Sequence, residues 1–141
     1  MFMPERIDHH GWQLALLMTT VAGTADREGL RGGIVAGLSS AASLTIGLEM
    51  LPYIAVAGAV TALRWVWDAG EAERLRGYGI ALAAGSAAGF AAFASYDNRA
   101  AVCDVLSPVW LSVTLAAGGL AVLLTALPLS LIHISEPTRP Y

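Results

Sequence analysis

The sequence predicts an all-α protein, a multi-pass bundle of about five transmembrane helices. Of its 141 residues, 56% are apolar and only 13% are charged, whereas soluble domains carry about a quarter charged residues. The polar residues collect between long apolar windows instead of forming the polar stripe of a water-facing helix. Backbone groups in hydrocarbon must be hydrogen-bonded within their own segment, so we expect the windows to be helices and not strands.

A membrane-spanning helix needs about 20 mostly apolar residues, and five windows meet or approach that length. The fourth and fifth windows are long enough alone, the second needs its flanking residues, and the first and third are marginal. Pro52 separates the second window from the third, because proline is tolerated in the first turn of a helix but breaks its interior. The predicted helices lie near residues 7–24, 30–50, 52–67, 77–96 and 105–128.

Charge and cysteine content exclude some functions. The net charge is −3 and no basic run is present, so we expect no nucleic-acid partner. Cys103 is the only cysteine, which excludes an intrachain disulfide.

The last residues of the chain differ in composition from the apolar windows. Residues 129–139, LSLIHISEPTR, resemble the in-frame translation of a transposase adapter used for sequencing libraries. We therefore assign residues 129–141 to a non-native tail. Residues 1–128 are then expected to be a partial transmembrane domain from a larger protein.

Arginine positions predict the orientation in the membrane. With five spanning helices, segments 24–31 and 64–77 lie on one side and carry five arginines, while Arg6 and Arg99 lie on the other. Cytoplasmic loops are enriched in basic residues, so the five-arginine side is predicted to be cytoplasmic. We expect an integral protein of the bacterial inner membrane, with one histidine and four acids on the periplasmic side: Asp8, His10, Glu49, Asp97 and Asp104.

A polar cluster, RIDHHGWQ at residues 6–13, precedes the first helix. In one interpretation Asp8 caps the helix and interacts with its dipole. In the other, Asp8 and His10 bind one divalent ion, because a carboxylate and an imidazole two residues apart can converge at a helix start. The carboxylate suits Mg²⁺ or Mn²⁺, and the imidazole favours Mn²⁺. Two ligands are too few, so other acids on the same side would have to contribute.

The order Asp8, His9, His10, then Gln13 and an apolar helix resembles the second acidic motif of the oligosaccharyltransferase catalytic subunit, a C-type glycosyltransferase. The resemblance implies that Asp8 is catalytic, that Asp8 and His10 ligate a divalent metal (Mg or Mn), and that His9 is a spacer. It implies transfer of a glycan from a lipid-phosphate carrier to an acceptor at the outer membrane face. The implied partners are the bilayer, a lipid-linked sugar donor and the missing remainder of the chain.

The chain departs from this family in three respects. The family has an earlier acidic loop, a later acidic ligand and a soluble domain with a Trp-Trp-Asp element, none of which is present here. The segment WVWD at residues 65–68 does not match that element because a valine interrupts it. The fragment alone is therefore expected to be inactive.

Two further residues are candidate substrate contacts. Glu49 lies at the predicted outer end of the second helix, and charged residues near membrane segments often serve function. Arg99 carries a guanidinium group that matches phosphate oxygens. Two alternatives stay open: a transporter or channel segment, with Glu49 near mid-membrane on a polar path, and a structural membrane subunit without catalysis.

Overall fold

The computed structural model describes residues 9–94 and 106–126, and these residues are helical with short connections. The predicted all-α class with about five helices is confirmed. A short 3-10 helix, Ala69–Glu71, precedes the fourth α-helix. The α-helices are α1 (His9–Ala25), α2 (Gly29–Ile46), α3 (Leu51–Trp67), α4 (Ala72–Phe93) and α5 (Pro108–Ala126).

Two helix boundaries differ from the predicted ones. The second helix ends at Ile46 and not near residue 50, because Gly47 has extended backbone and its N–H caps the carbonyl of Ser43. The fourth helix begins at Ala72 and not near residue 77, because Asp68 accepts a hydrogen bond from the amide of Gly70 and starts the 3-10 turn. The predicted outer ends at residues 7, 96, 105 and 128 lie outside the described residues.

Helix α4 is central, packed against α2 on one side and α5 on the other, while α1 packs on α2. Small residues permit this close approach. A Cβ atom placed on Gly37 would lie 2.6 Å from the carbonyl oxygen of Tyr78, and one on Gly79 would lie 2.7 Å from that of Gly118. Small residues at helix interfaces are typical of helix packing in membranes.

The side chains in the interior of the bundle are small or polar, whereas many of those on its exterior are large and apolar. The buried apolar residues are mostly alanine and leucine, and buried polar residues lie among them: Gln13, Thr20, Ser39, Ser40, Ser43, Thr61, Arg74 and Ser86. The exposed side includes Trp12, Met18, Leu38, Tyr53, Val56, Ile80, Phe93, Leu120 and Leu123. Soluble proteins bury most such residues and rarely expose large contiguous apolar patches.

Among the described residues, one helix is long and apolar enough to cross a membrane, Pro108–Ala126. Helix Leu51–Trp67 is also apolar but has 17 residues. The five-span arrangement predicted from the sequence therefore stays a prediction.

Two arginines hold the C-terminal end of α1. Arg74, 2% exposed, donates from Nη1 to the carbonyl of Gly23 (3.0 Å) and from Nη2 to that of Asp26 (2.6 Å). Arg64 donates to the carbonyl of Thr24 at 2.7 Å. The last carbonyls of a helix lack intrahelical partners and favour nearby cations. Both arginines belong to the segment 64–77 that was predicted to be cytoplasmic; Arg64 lies in α3 as expected, whereas Arg74 was expected in a loop and lies in α4.

Glu71 joins the two arginines. Its carboxylate accepts hydrogen bonds from Arg64 and Arg74. Burial alone would raise the pKa of Glu71, but the hydrogen bonds from Arg74 and Arg64 outweigh it and hold the pKa below its usual value of 4.5. We call Arg64, Glu71 and Arg74 the carbonyl clamp.

The carbonyl clamp is expected to make stability depend on acid pH. Because the folded-state pKa of Glu71 is lowered, its contribution is complete above pH 4.5 and is lost as the pH falls through the folded-state pKa. Unfolding followed by circular dichroism across this range measures the effect. The variant Glu71→Gln should lack this part of the acid dependence; an identical acid profile for both proteins would contradict the assignment.

Candidate metal centre at the start of α1

Two histidines and a glutamate meet at one end of the bundle. His9 and His10 open α1, and their rings stack with centroids 4.4 Å apart. His9 Nε2 lies 3.4 Å from Glu49 Oε1, and His10 Nε2 lies 3.2 Å from Glu49 Oε2. One ligand atom from each residue lies within 4.8 Å of the others. We call these three residues the His–Glu cluster.

The chain reversal between α2 and α3 brings Glu49 to this position. Helix α2 ends at Gly47, and the amide of Leu51 donates to the carbonyl of Leu48 at 3.0 Å, which closes a tight turn. Pro52 falls in the first turn of α3, where its missing N–H costs no helical hydrogen bond. Glu49 lies in this turn, beside the first residues of the neighbouring helix α1.

The cluster is accessible from solvent. The side chains of His9, His10 and Glu49 are 50%, 56% and 48% exposed. Neutral imidazole nitrogens and a carboxylate are metal ligands, and this combination fits Mn²⁺ or a softer ion better than Mg²⁺, which prefers oxygen ligands. A protonated imidazole paired with the carboxylate is the arrangement that needs no metal.

The structure brings together two of the residues singled out in the sequence, His10 and Glu49. It differs from the sequence interpretation at His9, which was expected to be a spacer and instead contacts Glu49. The pattern of adjacent histidines did not reveal this, because successive helical residues usually point in different directions. The predicted ligand Asp8 and the predicted phosphate contact Arg99 lie outside the described residues, as do Asp97 and Asp104.

The His–Glu cluster and the carbonyl clamp occupy opposite ends of α1. A helix of 17 residues is about 25 Å long at 1.5 Å per residue. Arg64 and Arg74 therefore lie at the end of α1 away from His9 and His10, and the sides of the membrane predicted from the arginines stay a prediction. The segment at residues 65–68 lies near the clamp, where Asp68 caps the 3-10 turn through Gly70 at 2.8 Å.

Gln13 was named in the sequence only as part of the motif that begins at Asp8, and no role was predicted for it. It lies one turn beyond the histidines and is wholly buried. Neither atom of its carboxamide has a hydrogen-bond partner within the described part of the chain. A glutamine in an apolar window was the available signal.

Comparison with known proteins found no matching family model, no matching curated protein and no matching solved structure.

Proposed function

We propose that the chain is part of a multi-pass membrane glycosyltransferase, resembling the oligosaccharyltransferase catalytic subunit, in which the His–Glu cluster binds a divalent cation at the periplasmic face. The observation that carries the proposal is the meeting of His9, His10 and Glu49 at one end of a helix bundle whose exterior is apolar. His9 and His10 are distant in sequence from Glu49, yet the ligand atoms of these three residues converge.

A bilayer around the bundle explains why large apolar side chains lie on its outside and polar side chains lie inside. The helices have 17 to 22 residues, or about 25 to 33 Å at 1.5 Å per residue, close to the roughly 30 Å hydrocarbon core. Large apolar side chains on the outside and small or polar ones inside are what lipid-embedded helices require. The arginine distribution favours the orientation with the His–Glu cluster outside the cytoplasm.

The cation site would use both imidazoles and the carboxylate of Glu49, with Asp8 as a further ligand from the adjoining residues. Two nitrogen donors favour Mn²⁺ over Mg²⁺. A bound divalent cation neutralises charge on a leaving phosphate and orients it. The half-exposed cluster residues leave room for such a headgroup, and Glu49 holds the histidines in place.

A groove beside the cluster fits the hydrocarbon chain of a lipid-linked donor. The groove lies between α3, α4 and α5, has a volume of about 370 Å³ and is lined mainly by Leu, Ala, Ile and Val side chains. It starts at Leu51, two residues after Glu49, and extends along α3 to Ala62. A carrier chain in this groove would leave its phosphate near the His–Glu cluster.

Transport is the weaker alternative. That hypothesis requires Glu49 near mid-membrane, between broken helices. Glu49 lies instead in the turn between α2 and α3, level with the first residues of α1.

Glycan transfer by the larger protein that the proposal requires tests the proposal. In right-side-out vesicles supplied with a lipid-pyrophosphate-linked glycan and an acceptor peptide, we expect transfer that an external, membrane-impermeant chelator stops and Mn²⁺ restores. The variant Glu49→Gln should abolish transfer. Glu28→Gln, which removes an exposed acid paired with Arg31, is the matched control and should retain it. Transfer that is insensitive to both chelator and Glu49→Gln would contradict the proposal.

A further inference from the structure

A buried carboxamide lies one helical turn from the histidines of the His–Glu cluster and has no hydrogen-bond partner among the described residues. Gln13 is 0% exposed, and within the described residues both its Nε2 and its Oε1 lack a hydrogen-bond partner. A buried polar group left unsatisfied costs about 1–3 kcal/mol, and nearly all such groups in native proteins have a partner. An unsatisfied pair on one side chain therefore indicates a partner other than the described residues.

The position of Gln13 on α1 directs it toward the cluster. It follows His9 by four residues and His10 by three, so all three lie on neighbouring parts of one helix surface. Long side chains in a helix lean toward its N-terminus. The carboxamide of Gln13 therefore extends back toward the turn that carries the two histidines.

The same carboxamide contacts the segment that carries Glu49. A Cβ atom at Gly47 would lie 2.8 Å from Gln13 Nε2, so the amide packs directly on the backbone at the end of α2. Gly47 precedes Glu49 by two residues. Gln13 thus lies between the two chain segments that supply the cluster.

Building on the proposed metal centre, we propose that Gln13 is a positioning residue of the cation site. Its carboxamide hydrogen-bonds a water molecule on the bound cation and fixes the cation against His9, His10 and Glu49. Outer-shell partners of this kind orient metal ligands and contribute strongly to affinity. A bound water also supplies hydrogen bonds that the described residues do not give to Gln13.

A purely structural role predicts a different result. If Gln13 only fills space, leucine of similar volume should serve as well or better, because it removes two unsatisfied polar atoms. If Gln13 holds the water of a cation, leucine should weaken cation binding without weakening the fold. Only our proposal therefore predicts that Gln13→Leu lowers the affinity for the cation without lowering the stability of the fold.

The experiment measures Mn²⁺ affinity of the full chain in proteoliposomes, with helicity checked by circular dichroism. Gln13→Leu is expected to weaken Mn²⁺ binding about 10-fold or more, and Gln13→Glu, which keeps the hydrogen-bonding oxygen and adds charge, is expected to match or exceed the wild-type affinity. Thr20→Val is the control: Thr20 is also fully buried on α1 but is bonded to Ser39 at 2.8 Å, and its loss should leave Mn²⁺ affinity unchanged.

Each outcome separates this inference from the proposed function. Wild-type affinity in Gln13→Leu overturns the role of Gln13 while leaving the metal centre in place. No Mn²⁺ binding by the wild-type chain overturns the metal centre itself. If Gln13→Leu fails to fold, Gly47→Ala displaces the amide without removing it; weaker binding then supports the proposal, and unchanged affinity overturns it.

Discussion

Replacing Arg74 with methionine is expected to lower the free energy of unfolding by about 3–5 kcal/mol, the cost of breaking a buried ion pair by removing one partner. Arg74 is 2% exposed and bonds the carbonyls of Gly23 and Asp26 as well as Glu71. Without it, those carbonyls lose their donor and the Glu71 carboxylate keeps only Arg64. Chemical unfolding followed by circular dichroism measures the loss.

Arg76→Met is the matched control for this experiment. Arg76 is on the same helix, half exposed, and only 4.0 Å from Glu73, and exposed pairs of this kind contribute between about 0 and 1 kcal/mol. Arg74→Lys should fall between the two, because an ammonium group cannot reproduce the fork of a guanidinium. Equal stability of Arg74→Met and Arg76→Met would show that the carbonyl clamp does not stabilise the bundle.

Glu49→Gln is expected to remove high-affinity Mn²⁺ binding. Glutamine preserves the size of the side chain but not the negative charge, and Glu49 is the only acid in the described cluster. The loss should exceed the roughly 10- to 100-fold effect of removing an outer-shell partner. Calorimetric titration of the full chain with Mn²⁺ gives the affinity.

The control for Glu49→Gln removes the same charge elsewhere. Glu28 has a side chain that is 69% exposed and lies 3.4 Å from Arg31, at the end of the bundle away from the histidines. Glu28→Gln should bind Mn²⁺ as the wild type does. Indistinguishable affinities for the two variants would mean that any bound cation occupies another site.

Much of the fold follows from local sequence physics. The apolar windows are separated by charges and by Pro52, and each window corresponds to a helix because helical backbone needs no partner outside its own segment. The grouping of His10 with Glu49 also followed from the sequence, since two helix crossings, α1 and α2, separate them and return the chain to the same end. Both inferences need only residue type and order.

The features that could not be predicted depend on tertiary contacts. Arg74 was interpreted as a loop charge because its partners, the carbonyls of Gly23 and Asp26, are about 50 residues away in sequence. The early end of α2 at Gly47 was missed because an isolated glycine in an apolar window is a weak signal. The burial of Gln13 follows from α2 packing on α1, which no single helix pattern specifies.

The central claim is that His9, His10 and Glu49 together bind a divalent cation, and pulsed electron paramagnetic resonance of Mn²⁺ bound to the full chain in proteoliposomes tests it most directly. We predict ¹⁴N couplings from imidazole ligands that disappear when both histidines are replaced by alanine. A Mn²⁺ signal showing only water ligands, unchanged by that double substitution, would contradict the claim.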